Sequence, residues 1–284
     1  MNLINLETIN FELRDDGVGI ITLNRPERLN AMSFQFTEDF NSILDYLMVQ
    51  INCRVVILRG TGRGFCSGLD LKEIDILWQK EKPEQYKKFY YANMPELVKS
   101  AMHLQWRISQ IFVKMRKIGQ PIIALVQGPA TGGGFALALA ADIRIAGESA
   151  KFSNAFINIG LSGSDASVSY HLPRLIGMSR ATEIMMTGRF FDAEEAERIG
   201  VVYKIVKDEK LLDAGMELAE TLLSKSPLGL RMTKQALNLS LDSPSLETIS
   251  ELENRAQALC IVSEDMLEGL RAFREKRKPN FPLK

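Results

Sequence analysis

Residues 121–146 read PIIALVQGPATGGGFALALAADIRIA, and this stretch decides the fold class. PIIALV (121–126) is an unbroken apolar run, the pattern of a strand buried on both faces. GPATGGG (128–134) interrupts it with turn residues, and FALALAA (135–141) then reads as an apolar helix. DIRIA (142–146) and AKFS (150–153) follow as short strands. Buried strand, glycine turn, helix and strand in succession point to an α/β protein.

The segments upstream extend that pattern. TINFEL (8–13) and VGIITL (18–23) flank the turn signal Asp15-Asp16-Gly17, which predicts a hairpin. Ser33 is placed to cap a helix running to about Gln50, with Phe36, Phe40, Ile43, Leu44 and Leu47 on one face. RVVIL (54–58) is a second buried strand, and GTGRGFCSG (60–68) follows it. A helical stretch is then predicted from about Lys72 to Lys117.

Downstream, Asp192 and Glu195 carry capping-box spacing, with Gly200 as the stop. VYKIV (202–206) is the last predicted strand. Helical segments are expected over about 208–224, 227–240 and 244–276. The expected organisation is an α/β core over 1–205 and a helical oligomerisation region over 206–284 that packs on the core or on a neighbouring subunit.

Composition narrows the function. Lys+Arg and Asp+Glu both number 35, so the formal charge is zero. That argues against general nucleic-acid binding and against a polybasic membrane tether. No apolar run approaches the roughly 18 residues that span a bilayer. The first residues, MNLINLETINFELRDD, lack a basic segment before an apolar one and do not read as a secretory signal. The expectation is a soluble, cytoplasmic protein.

Three cysteines, Cys53, Cys66 and Cys260, are widely spaced and form neither a disulfide framework nor a zinc motif. With two histidines, His103 and His171, and no HExxH, no metal site is predicted. The nucleophile elbow GxSxG fails at its last position in Gly160-Leu161-Ser162-Gly163-Ser164.

Both glycine clusters follow buried strands, where α/β folds place ligands. The first has Phe65 where a dinucleotide fingerprint needs its last glycine, and neither ends in Gly-Lys-Ser/Thr. Gly132-Gly133-Gly134 heads the helix FALALAA, where free amides and the helix dipole favour negative charge. Two amides converging on one oxygen would form an oxyanion hole. The plainer alternative is that the glycines permit close helix–strand packing.

In this order, NRPERLNAM (24–32), GRGFCSGLDL (62–71), GPATGGGFALALAADIRIA (128–146), AKFSNAFINIGL (150–161), MTGRFFDAEEAERIGVV (186–202) and EDMLEGLRAFREKRKPNF (264–281) closely resemble the enoyl-CoA hydratase/isomerase (crotonase) family. The resemblance implies a spiral of ββα units with a helical C-terminal trimerisation module, a homotrimer or dimer of trimers, and an acyl-CoA thioester as substrate with no separate cofactor.

Carried over by position, it implies that the amides of Leu69 and Gly133 bind the thioester oxygen, with Gly68 and Gly132 shaping the two turns. Arg28 would lie near the CoA phosphates, with Ser67, Asp70 and the backbone at Ala31 on the adenosine and pantetheine parts. Phe273 and Lys276 would cover the adenine.

The departures from the family pattern are chemical. Hydratases of the family carry a glutamate two residues after the GGG and another before the IGL turn. Here those positions are Ala136 and Phe156, neither able to transfer a proton. Asp165 remains, matching by its distance from Pro173 the aspartate that single-acid and dienoyl-CoA isomerases use. The related dehalogenase branch would need a Trp at Phe156 and a His on the helix before PIIALV, where Ser109 stands.

Asp165 is also placed to cap the helix ASVSYHL. Its expected pocket is lined by Phe135, Phe156, Ile159 and Leu161. Aromatic residues of the 72–117 stretch, among them Trp78, Tyr86, Phe89, Tyr90, Tyr91 and Trp106, are candidates for an acyl-pocket lid or for core. Three readings stay open: isomerisation through Asp165, hydration or thioester hydrolysis over the same amides, and acyl-CoA binding without catalysis.

Overall fold

The chain is described by a computed structural model covering residues 2–74, 95–242, 254, 257 and 263–281. The first three strands are β1 (Asn2–Asn5), β2 (Ile9–Leu13) and β3 (Val18–Leu23). The predicted hairpin joins β2 to β3, antiparallel with Phe11 opposite Ile21. Gly17 supplies a φ of +90° at the turn, and Asp16 Oδ1 accepts the Val18 N–H at 3.0 Å. Helix α1 (Phe34–Val49) starts where Ser33 Oγ accepts the Phe36 N–H at 3.0 Å, and it buries the predicted apolar face.

Strand β4 (Val55–Gly60) leads through the first glycine turn to the short helix α2 (Leu71–Ile74). The predicted 72–117 helix is seen as α2 and as α3 (Glu96–Lys117). Trp78, Tyr86, Phe89, Tyr90 and Tyr91 lie outside the described residues. Then come β5 (Ile122–Val126), the short strand β6 (Pro129–Thr131) and helix α4 (Gly133–Ala140), which begins on the glycines themselves. Strands β7 (Ile143–Gly147) and β8 (Lys151–Ser153) follow, then α5 (Val168–Ile176) and α6 (Met178–Thr187).

The remaining elements are β9 (Phe190–Asp192), α7 (Ala193–Arg198), β10 (Lys204–Val206), α8 (Leu211–Leu223), α9 (Pro227–Ser240) and α10 (Glu264–Glu275). Asp192 caps α7 as its spacing predicts, Oδ1 accepting the Glu195 N–H at 2.8 Å.

The main sheet runs β1-β2-β3-β4-β5-β7-β10, antiparallel at the β1–β2–β3 end and parallel from β3 onward. Strands β6, β8 and β9 make a second, small sheet. One face of the main sheet carries the larger core, in which Phe36, Phe40, Phe112, Phe135 and Phe152 are fully buried. On the other face α8 lays Leu211, Ala214 and Ala219 against Val55, Ile57, Ile123, Leu125 and Ile145. Burying both faces explains the continuous apolar reading of β4 and β5.

Helix α4 is apolar all round and wholly buried. Arg144 closes its C-terminal end, donating to the carbonyls of Ala141 at 2.5 Å and Ala138 and Leu139 at 3.3 Å. A cation there opposes the negative end of the helix dipole. Burial pushes this guanidinium down to about 10, and it has carbonyl partners rather than water.

Candidate active site

The turn after β4 is shaped by a residue well upstream. Asn30, fully buried at a φ of +54°, donates from Nδ2 to the carbonyls of Thr61 and Gly64 at 2.9 Å and Phe65 at 3.2 Å. Its Oδ1 accepts the Arg25 N–H at 2.8 Å. Asparagine tolerates the left-handed conformation better than most non-glycine residues, so the position uses both its backbone and its amide. Arg25 in turn donates to the Ala31 carbonyl at 2.7 Å and pairs with Asp70 at 3.0 Å. Sequence reasoning passed over both residues.

The two glycine turns are held edge to edge. Cys66 N–H donates to Pro129 O at 3.1 Å, Thr131 N–H to Cys66 O at 3.0 Å, and Thr131 Oγ1–H to Ser67 O at 2.8 Å. On the opposite flank Met32 N–H donates to Gly68 O at 2.7 Å, and Asp70 N–H to Met32 O at 3.0 Å. This ladder skips Leu69, whose N–H has no acceptor among the described residues. Gly132 N–H is used by Ser153 O at 2.9 Å, but the N–H of Gly133, the first residue of α4, is likewise free.

Gly68 takes a φ of +87°, and a Cβ there would stand 3.1 Å from Gly133 N. The turns are therefore in van der Waals contact, with two unclaimed donors at their junction.

These donors open on a cavity of about 110 Å³. Met32, Gly68, Leu69, Gly132 and Gly133 form one wall, and Phe156, Ile159, Leu161 and Asp165 another. Asp165 is the one titratable side chain lining it among the described residues. Helix α3 contributes Gln105 and Ile108 to the lining and not Ser109, whose hydroxyl donates to Trp106 O at 2.8 Å. Phe135, expected in the pocket, is instead fully buried in the core against Phe152 and Phe191, with ring centroids 6.0 and 5.6 Å away.

Asp165 does not cap α5. Its Oδ1 accepts the N–H of the next residue, Ala166, at 2.7 Å, and the helix begins at Val168 after Ala166 and Ser167, at φ +49° and +66°. The left-handed pair turns the chain before the helix starts, leaving the carboxylate on the cavity side. Asn154 fixes the preceding loop by donating to Gly163 O at 2.9 Å.

The other candidate residues fall into groups. Ser67, Gly68, Gly132 and Phe156 line the cavity with Leu69, Gly133 and Asp165. Arg28 is exposed on a 3-10 turn, Pro26–Arg28, with no ion pair among the described residues. Ala31 is buried and its carbonyl is taken by Arg25. Asp70, 7 % exposed, does not line the cavity, and its carboxylate braces Arg25. Lys276 is exposed just past α10, away from the cavity lining, and the side chain of Phe273 lies outside the described residues. No group of three or more potential metal ligands occurs among the described residues.

Two amides without acceptors, one carboxylate and apolar side chains thus line one cavity, and a sequence profile of the enoyl-CoA hydratase/isomerase family matches residues 14–284. The chain belongs to that family. It is 42% identical over 262 residues to a probable enoyl-CoA hydratase of Mycobacterium tuberculosis H37Rv, covering 92% of this chain and 88% of that one. It is 35% identical over 267 residues to the 1,2-epoxyphenylacetyl-CoA isomerase of Escherichia coli K12, covering 94% and 95%.

Among solved structures, an enoyl-CoA hydratase from Bacillus anthracis superposes with a TM-score of 0.86 at 34% identity, over 98% of this chain and all of that one. The fold is thus the α/β architecture of crotonases. This family member differs chemically at Ala136, which is buried in α4 away from the cavity, and at Phe156, whose ring lines it.

Proposed function

We propose that the protein isomerises the double bond of an enoyl-CoA, with Asp165 carrying the proton. The observation behind this reading is that one cavity is lined by both free-amide turns and by a single carboxylate. Removing a proton from the carbon chain beside a thioester places negative charge on the thioester oxygen. Donors fixed at that oxygen by Leu69 and Gly133 stabilise the resulting enolate more than the neutral substrate, which lowers the barrier. Asp165 accepts the proton from one carbon and returns it to another, so no water is consumed and one acid suffices.

The rest of the ligand follows the same expectations. Arg28 meets the CoA phosphates, Ser67 and the Ala31 backbone the pantetheine arm, and Asp70 acts through Arg25. Phe273 and Lys276 close over the adenine in a cytoplasmic homotrimer or dimer of trimers. The relative at 35% identity is named an isomerase of an acyl-CoA, which supports isomerisation as a broad class, although its named substrate is an epoxide and not an enoyl chain. Hydration is the second reading, favoured by the name of the 42% identical relative, with Asp165 positioning water.

Mass spectrometry of an enoyl-CoA panel incubated in heavy water tests both. Isomerisation predicts deuterium in the acyl chain and a product of otherwise unchanged composition, both lost in Asp165→Asn. A product heavier by one water establishes hydration instead. Turnover untouched by Asp165→Asn overturns the mechanism.

A further inference from the structure

A second, larger cavity of about 640 Å³ adjoins the first along two elements. On α3, Ile108 lines the first cavity and Phe112 and Arg116 the second. In the turn before α5, Asp165 and Ala166 line the first and Ser167 the second. The remaining walls are the start of α5, with Tyr170 and His171, and the inner side of α9.

The charge in this chamber is unbalanced. Among the described residues, Arg116, Lys117, Arg231 and Lys234 line it against one carboxylate, Asp242. Lys234 is neutralised by Asp142 at 2.8 Å and also donates to the carbonyls of Gln120 and Met115. Asp242 is already shared, accepting the Tyr170 hydroxyl at 2.6 Å and pairing with Arg116 at 3.3 Å. Arg116 lies 4.6 Å from the Tyr170 ring centre and donates to Asn238 O at 2.6 Å. That leaves Lys117 and Arg231 with no ion pair or hydrogen bond among the described residues.

His171 Nε2 faces the same problem as a neutral group: it is buried without a partner. Burial first, and then Arg116, Arg144 and Arg174, push this imidazole down to about 4. Concave walls of one sign focus their field on an incoming ion. A buried polar atom with no partner is costly, and this one lies in the chamber wall.

We propose that this chamber is a second ligand site, for a small oxyanion of the phosphate or carboxylate type, bound by Lys117 and Arg231, with the imidazole of His171 in the wall beside it. The site is independent of the isomerase reading, because none of these groups touches the Leu69–Gly133–Asp165 cavity.

The chain's two histidines make the test direct. Imidazole resonances of the full-length protein are followed at pH 8 during titration with inorganic phosphate, with succinate, and with sodium chloride at matched ionic strength. The expected result is a saturable shift of His171 with phosphate, succinate or both, His103 remaining still. The responding anion identifies the ligand type. Arg231→Met and Lys117→Met should each weaken the apparent affinity about tenfold or more, since each deletes a charge-assisted contact. Lys117 is exposed at a helix end, so its variant tests the site even if Arg231→Met fails to fold. A His171 shift no larger than sodium chloride gives, or one undiminished in these variants, overturns the proposal.

Discussion

The carbonyl oxygen of Cys66 lies 1.9 Å from the point a Cβ on Gly134 would occupy. Helix α4 and the turn after β4 therefore approach at a distance that only glycine allows. Gly68 lies beside Gly133 at the same junction, so the triple glycine does permit close packing, and the amide proposed for catalysis belongs to its middle residue. Gly134→Ala must displace backbone rather than a side chain. It should cost about 3 kcal/mol or more, measured by chemical denaturation. A loss within error of wild type would show that the turns separate freely.

Arg25 and Asp70 form the second brace of the site. Their ion pair at 3.0 Å is largely buried, and Arg25 also holds the Ala31 carbonyl. Removing either partner strands the other. Arg25→Met and Asp70→Asn should each destabilise the chain, and the double variant should fall short of their sum by about 2 kcal/mol. Strict additivity in a double-mutant cycle would mean that Asp70 acts elsewhere, as on a bound ligand.

His171 gives the fold an acid limit. Its folded value of about 4 lies below the ordinary 6.5, held there by burial and by Arg116 on α3, Arg144 on β7 and Arg174 on its own helix, against Asp242 after α9. Between those values the unfolded chain binds a proton that the folded chain does not. This contribution is complete above pH 6.5 and is lost as pH falls toward 4, by about 3 kcal/mol at most. Calorimetry of wild type and His171→Gln across that window should show the gap between their stabilities changing with pH. Parallel curves would remove His171 from the acid limb.

The glycine turns, the hairpin and the Ser33 and Asp192 caps were legible because each rests on local sequence, whereas Asp165 was singled out by the family resemblance. A turn residue, a cap or a buried strand leaves its mark within a few positions. Asn30 and Arg25 were not legible, because their bonds reach 31–45 residues along the chain and no periodicity records them. The strands β6 and β9, each three residues long, carry too little pattern to stand out. Asp165 was expected as a cap because helix starts favour that residue type. The left-handed Ala166 and Ser167 that move the start to Val168 are residue types that rarely adopt that conformation.

Under the proposed function, Phe156 is expected to limit which acyl groups fit. Its ring lies 3.6 Å from where a Cβ on Gly132 would stand, and it lines the cavity together with Leu69, Gly133 and Asp165. By the motif resemblance it stands where hydratases carry a glutamate, and its side chain offers a substrate size and no charge. Phe156→Ala opens space beside the reacting carbons without touching Asp165 or the amides. The ratio of kcat/KM for a bulky acyl-CoA over a short one should then rise about tenfold, the scale on which an apolar pocket discriminates by size. Proton exchange through Asp165 should persist, because the acid and the oxyanion donors sit on other segments. An equal fall in kcat/KM for every chain length would instead give Phe156 a part in holding the reacting thioester itself, as an aromatic wall that keeps water from the enolate.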